Sequence, residues 1–361
     1  MSICVSLLLS CSDERENLKP DHGGQPSPPA ENRSEKGKIT FTGSVQLEEG
    51  PQDLLIHSTS LFAVRDHRVF RFQLSNPTKP VLQGEYSLGS GAARFGKLYH
   101  TGTHLYVPCQ TDGMLYELDN DLVLVKAHDL GIASFKPNVA LQDSDGNFWV
   151  GGSNGSRGIL AKYRHTHNAL TLSAHWIAPG NDSNIESVVE KDGHLIVSIP
   201  KGDLYAFSKA DVATGPVDAV TYQHEAGHEK WGHTVIRHGN KVFWANWGAG
   251  LATVDISDPT DMIVGAVITN SNFKSQFANA EGTNVYDVAY NAQHDFLCIA
   301  NGWSGVLLVK PGKPTEVVDF IDPEYFQNRC IETMGDYIYT GNISGGMSGD
   351  LKGIKVFKIN K

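Results

Sequence analysis

The chain has 361 residues, of which 40% are apolar, 9% aromatic and 19% charged, enough to build a sizeable core and to exclude a mostly disordered protein. Asp and Glu outnumber Lys and Arg 40 to 30, and the formal charge of −10 excludes a generic nucleic-acid binder, which needs a basic footprint. The 37 glycines and 16 prolines cut the sequence into short pieces bounded by turns and exclude an architecture of long helices.

Residues 1–11 are a short apolar run closing on Leu8-Leu9-Ser10-Cys11, too short to span a bilayer. The run resembles the end of a bacterial lipoprotein signal segment, in which small and aliphatic residues precede a cysteine that becomes lipidated. The resemblance implies lipidation at Cys11 and a place in the bacterial cell envelope, on its periplasmic or surface side, with the lipid as the only membrane contact. No Lys or Arg precedes Cys11, so the basic part of such a leader is expected upstream of Met1. Residues 12–37 are polar and rich in Pro, Gly, Glu and Lys, a composition that buries nothing and predicts a flexible tether. Beyond Cys4 and Cys11 only Cys109, Cys298 and Cys330 remain, without C-x-x-C spacing. They read as buried thiols, with Cys298 and Cys330 as the one pair that an oxidising compartment would join.

From Lys38 onward the sequence repeats. Seven apolar runs follow a turn: Val69 to Phe72, Leu115 to Leu118, Leu160 to Tyr163, Leu204 to Phe207, Leu251 to Val254, Val306 to Val309 and Ile354 to Phe357. Their starts lie 44 to 55 residues apart, the period of a propeller blade of four strands. Each unit opens on an apolar strand such as Asn138 to Leu141 or Asp287 to Tyr290. A tight turn with Asp145-Gly146, Asp192-Gly193 or His238-Gly239 supplies the positive φ of a hairpin. The second strand follows, as in Phe148 to Val150, then the third-strand run, then a more polar fourth strand such as Val217 to Tyr222 or Thr315 to Phe320. The last unit ends at Lys361 after its third strand, whereas Lys38 to Leu47 is a strand without a unit. The prediction is an all-β, seven-bladed β-propeller over residues 38–361, closed by its N-terminal strand, which removes an exposed edge.

The stretch His233 to Thr269, with Lys241-Val242-Phe243-Trp244 leading to Leu251-Ala252-Thr253-Val254-Asp255-Ile256, resembles the LVIVD-repeat proteins, bacterial extracytoplasmic propellers. Leu74-Ser75-Asn76-Pro77 and Trp303-Ser304-Gly305-Val306 match partly. The resemblance implies a propeller fold and an extracytoplasmic location, and it supplies no catalytic residues.

Two motifs read as connections. His224-Glu225-Ala226-Gly227-His228 fits H-E-x-x-H, but that zinc motif needs a helix and here falls between strands, so neither metal nor cofactor is expected. Gly151 to Gly158 is glycine-rich, but it joins two strands and opens no helix to hold a phosphate.

The informative residues are those that a propeller gathers on one face, in the loops leading into first strands and in those joining second to third strands. They include Asp53, Arg94, Lys97, Lys136, Glu186, Trp231, His233, Tyr286, Asp287, Arg329 and Glu332 from the first set, and Lys201, Asn246, Trp247 and Trp303 from the second. Arg94, Lys97, Lys136, Lys201, Trp247, Trp303 and Arg329 are the expected ligand contacts, since cations neutralise an acid and indoles stack on a sugar ring. Asp287, ahead of Val288, reads as a strand cap. The leading expectation is a lipid-anchored binding protein for an envelope protein or an acidic glycan, with no nucleic-acid partner. The alternatives are a polysaccharide lyase using His233 and Tyr286 for proton transfer, and a structural interaction scaffold.

Overall fold

The computed structural model describes residues 37–361 except 90–92, 167–168, 181–183, 201–202, 226–227, 229–230, 277–281, 303, 322–326 and 344–351. Cys11, Lys201 and Trp303 lie outside the described residues, as do Ala226 and Gly227 of the H-E-x-x-H motif.

Seven four-stranded antiparallel sheets follow one another along the chain. Blades 1 to 6 span residues 53–87, 99–129, 136–177, 187–220, 235–268 and 287–321. Blade 7 takes three strands from residues 328–359 and its outermost strand from the other end of the chain, Ile39–Gln46, which pairs antiparallel with Gly353–Ile359. Every first strand touches the first strand of the next blade around the whole circle, so these strands line a central channel. The alternation of the sequence explains the layering. In the second strand Phe148–Ser153, Trp149 faces the cluster shared with blade 4, while Phe148 and Val150 face the one shared with blade 2. The core is thus divided into wedges between neighbouring blades.

Hairpin turns follow the expected chemistry: Asp192 and Gly193 sit at φ 45° and 75°, Gly146 at 82° and Gly239 at 62°. The closure is held by more than its ladder. Asp319, buried in the outer strand of blade 6, accepts from the backbone N–H of Lys38 at 2.6 Å and of Ile39 at 3.2 Å. Ile39 itself is buried among Cys298, Leu308 and Phe357. At Gly43 a Cβ would lie 2.4 Å from the Thr78 carbonyl oxygen, so only glycine lets the closing strand pass the outer loop of blade 1.

The one helix among the described residues, Asn270–Gln276, was not expected. Thr269 Oγ1 caps it by accepting from Asn272 N at 3.3 Å, and Phe273 anchors it against Phe320, with ring centroids 5.6 Å apart. It occupies the insertion that stretches the repeat between Leu251 and Val306. The three described cysteines are free and buried. Burial pushes the Cys109 thiol up to about 11, and Cys298 and Cys330 are raised as well, Cys330 with help from the nearby Asp53 and Asp287 carboxyls.

Candidate functional site at one mouth of the channel

The loops leading into the first strands stitch neighbouring blades together around the channel. Asp53 Oδ2 accepts from Leu98 N at 2.7 Å, and Lys97 N donates to the Asn138 carbonyl at 2.7 Å. Asn138 Nδ2 donates to the Ile185 carbonyl at 3.0 Å, and Ser187 Oγ accepts from Val235 N at 3.1 Å. Thr234 bonds the Asp287 carboxyl, Asp287 Oδ2 accepts from Ile331 N at 2.8 Å, and Cys330 Sγ approaches the Pro51 carbonyl at 3.5 Å. All seven junctions are therefore bridged near one level of the channel, and Asp287 has the capping role its position suggested. A site built on this ring is fixed by backbone geometry rather than carried on free loops.

Ionisable groups crowd this level. Lys97 reaches from blade 2 to Thr234 of blade 5, Nζ to Oγ1 at 2.8 Å. Burial pushes the Asp53 carboxyl up to about 7, opposed by Lys97 and reinforced by Asp287. Burial likewise raises Glu186 and Asp287, in both cases against the pull of Lys97. Glu332 lies further along its strand and is held well above the carboxylate range by burial and by Asp287 and Asp53. Lys97, expected as an anion contact, is thus committed to a threonine hydroxyl and to surrounding carboxyls. Burial brings the His233 imidazole down to about 3, with Lys97 and Arg329 adding to the effect, so it is neutral at physiological pH.

An aromatic group adjoins this cluster. The rings of His233 and Tyr286 lie 5.1 Å apart, the Arg329 guanidinium sits 5.1 Å over the Tyr286 ring, and Gln327 Nε2 donates to Tyr286 OH at 3.3 Å. Trp247 adopts φ 44°, an uncommon conformation for a bulky side chain. Paired bonds hold it there: Trp247 N to the Val285 carbonyl at 2.8 Å and Val285 N to the Trp247 carbonyl at 3.0 Å. This bridge sets Trp247 of blade 5 beside the segment that carries Tyr286. Trp231, two residues ahead of His233, is half-buried.

The structure therefore brings together Lys97, His233, Tyr286, Trp247 and Arg329. It places Arg94 and Lys136 apart, as exposed residues by a shallow groove between blades 2 and 3. Gln110, Asp112, Ser134, Phe135 and Lys136 line this groove of about 200 Å³. Gln110 N donates to the Arg94 carbonyl at 2.7 Å, which fixes that rim. The selection of cations missed the four carboxyls as members of the site, although they stand in the same loops. Thr234 and Gln327 carry no signal in the sequence beyond their nearness to His233 and Arg329.

Of the two set-aside motifs, the glycine-rich one begins inside a strand, and of the other only His224, Glu225 and His228 are among the described residues. Glu225 accepts from Ser271 N at 3.1 Å, and no group of three or more metal-ligating side chains occurs among the described residues. Gly151 and Gly152 belong to a strand, and Asn154 Oδ1 takes the N–H groups of Ser156 and Arg157 that an anion would use. A Cβ on Gly152 would lie 2.2 Å from the Lys136 carbonyl oxygen, which explains a glycine there by packing.

The LVIVD repeat family matches residues 235–269, which is the whole of blade 5. No curated protein matches the chain in sequence. Among solved structures the chain is similar to Raptor from Chaetomium thermophilum, with TM-score 0.65 and 10% identity over 91% of this chain, which spans 30% of that protein. It is similar to virginiamycin B lyase from Staphylococcus aureus, with TM-score 0.63 and 11% identity over 89% of this chain and 98% of that one. It also resembles the β-propeller domain of Cps50 (Swd1) from Myceliophteria thermophila, with TM-score 0.65 and 12% identity over 89% of this chain and 100% of that one. At such identities the likeness establishes the fold alone. The chain is a seven-bladed β-propeller carrying an LVIVD repeat in its fifth blade.

Proposed function

We propose that this protein is a lipid-anchored binding propeller of the bacterial cell envelope, tethered through Cys11, which seats an envelope partner or glycan on the channel mouth described above. The observation that carries the reading is the convergence there of Asp53, Lys97, Glu186, His233, Tyr286, Trp247 and Arg329 from six of the seven blades and the loops leading into them. Burying so many polar groups in one place costs stability, and a fold that needed only to close its ring would fill these positions with apolar side chains. The anchor rests on the resemblance of Leu8-Leu9-Ser10-Cys11 to a lipoprotein signal. Among the described residues no helix is long and apolar enough to cross a membrane.

Binding fits the site better than the lyase reading. A proton-abstracting base works best with a pKa near the working pH, and an imidazole brought down to about 3 holds a proton too weakly for that task. His233 serves instead as a neutral ring packed near Tyr286.

Hydroxyl-radical footprinting with an isolated envelope fraction tests the proposal. Oxidation of Trp231, Trp247 and Tyr286 is expected to fall, while Tyr290 and Tyr337, at the other end of their blades, react as before. Protection on the opposite face, or none anywhere, overturns it.

A further inference from the structure

Exposed apolar side chains gather at one corner of the rim. Val81 and Leu82 open the outer strand of blade 1, and Val123, Leu124 and Val125 lead into that of blade 2, all between 44% and 60% exposed. The two strands adjoin there: Arg71 of blade 1 pairs with Asp121 of blade 2, and a Cβ on Gly84 would lie 4.0 Å from the Asp121 carbonyl oxygen. Val217 and Ile263 stand singly at the matching place in blades 4 and 5, as isolated surface residues commonly do. Five together are a different matter. Val123, Leu124 and Val125 are consecutive, so both faces of an outermost strand begin apolar. Blade 6 shows the guarded form of such an edge, opening its outer strand on Lys313, Pro314 and Glu316.

This corner lies at the end of the fold where the chain enters it. Third strands run away from the channel mouth and fourth strands return, so the start of an outer strand lies beside the hairpins that join first to second strands. Leu74 N donates to the Thr59 carbonyl at 2.8 Å and Ile256 N to the Asn240 carbonyl at 2.8 Å, which ties the two sets of hairpins together. The tether joins the propeller at this same end. Asn360 N donates to the Lys38 carbonyl at 2.8 Å, and Ile359 N donates at 2.7 Å to the carbonyl of Asp336, in the first hairpin of blade 7. A flexible chain of the length of residues 12–37 spans roughly 28 Å. A bilayer that holds Cys11 therefore meets the hairpin end of the disc before the channel mouth.

We infer that the corner formed by Val81, Leu82, Val123, Leu124 and Val125 dips into the headgroup region of the bilayer that holds the anchor, and turns the channel mouth away from it. The apolar side chains leave water for the acyl boundary, while Lys79, exposed two residues ahead of Val81, keeps its ammonium group at phosphate level. The contact orients the disc and does not hold it, because five partly exposed side chains offer far less apolar surface than two acyl chains. It adds a protein contact to the lipid suggested by the sequence, and it rests on the anchored reading above.

Fluorescence of the acylated full-length chain in vesicles of phosphatidylethanolamine and phosphatidylglycerol tests it. An environment-sensitive dye on Leu124→Cys reports from that site alone, since the three described native cysteines are buried. Its emission should shift to the blue on the vesicles, and lipids carrying a nitroxide near the headgroup should quench it about threefold or more. The same dye on Lys136→Cys, on the side of the channel mouth, or on Glu316→Cys, on the rim of blade 6, should keep its emission. Val81→Ser with Val123→Ser should cut the quenching at residue 124 by about half and leave the melting temperature unchanged, since exposed positions carry little stability. An acylated chain whose Leu124 reporter stays in water, or whose Lys136 reporter is quenched instead, overturns the inference and leaves the anchor standing. Excimer emission from pyrene on Leu124→Cys at sparse loading would mean that a second copy covers the corner, and overturns it too. A chain without acyl groups at Cys11 removes the anchor and this inference together.

Discussion

Lys97 and Thr234 meet across the channel, 137 residues apart in sequence, with Nζ 2.8 Å from Oγ1. The threonine also bonds Asp287, so one ammonium group links blades 2, 5 and 6 while facing Asp53 and Glu186. Removing it leaves at least three carboxyls without their shared counterion at a half-buried level of the channel.

Lys97→Met is therefore expected to destabilise the fold by about 3–5 kcal/mol at pH 8, the usual loss when one partner of a buried charge group is deleted. At pH 5.5 the loss should be smaller, because the carboxyls take up protons and no longer need the cation. Urea unfolding at the two pH values measures this, and equal losses at both would refute the shared-counterion account.

Asp53 gives the reverse sign of the usual carboxylate. Its folded pKa of about 7 exceeds the unfolded value near 3.8, so between these limits the folded state holds a proton that the unfolded state has released. Stability due to this group falls as pH rises through that window and is lowest above about 7. His233 runs the other way: with a folded value near 3, its neutral ring costs stability as pH falls below about 6.5. Because the slopes oppose, the difference between Asp53→Asn and wild type is the quantity to follow. The variant keeps an acceptor for Leu98 N and should gain about 1–2 kcal/mol on wild type between pH 4.5 and 8, a figure reduced for water in the channel. A difference that does not change with pH would place the Asp53 carboxyl in ordinary solvent.

Much of the fold is legible in the sequence because a propeller is written as a repeat. Asp192-Gly193 and His238-Gly239 announce hairpins through their need for positive φ, and the unpaired strand near Lys38 announces the closure. The helix at Asn270–Gln276 escapes such reading, since its seven residues sit in a polar insertion and bury one side chain, Phe273, while Gln276 ties it to Val317 of blade 6. The site is legible only in outline. Sequence position brings Lys97, His233 and Arg329 to one face, but their charge environment comes from contacts between blades that no local pattern encodes. Arg94 and Lys97 stand three residues apart, and one is exposed at the rim while the other reaches into the channel.

The closing strand should fail in a graded way. Ile39→Ala removes side-chain packing between blades 6 and 7 and is expected to cost about 2–4 kcal/mol. Asp319→Ala leaves the N–H groups of Lys38 and Ile39 without their acceptor and should cost about 1–3 kcal/mol. Deleting residues 1–47 removes the strand Ile39–Gln46 altogether, exposes the edge of Gly353–Ile359 and should promote association through that edge. Melting temperature and light scattering measure both effects. If the deletion melted with the full chain and stayed monomeric, the ladder between the two chain ends would carry no stability.

Anchoring at Cys11 yields the last expectation. A chain expressed behind a basic lipoprotein leader in a bacterial host should enter the detergent phase, and Cys11→Ala should leave it in the aqueous phase or unprocessed. The lipid supplies the whole effect in this account, since hydrophobic transfer of about 0.8 kcal/mol per buried CH₂ makes acyl chains a sufficient anchor only when more than one is attached. Mass spectrometry of the processed protein should therefore find more than one acyl chain on the residue-11 cysteine. The propeller released by proteolysis between residues 12 and 37 should then partition into water with its fold and channel mouth intact. Detergent partitioning that survives Cys11→Ala would mean that another part of the chain holds the membrane, and the tether would lose its purpose.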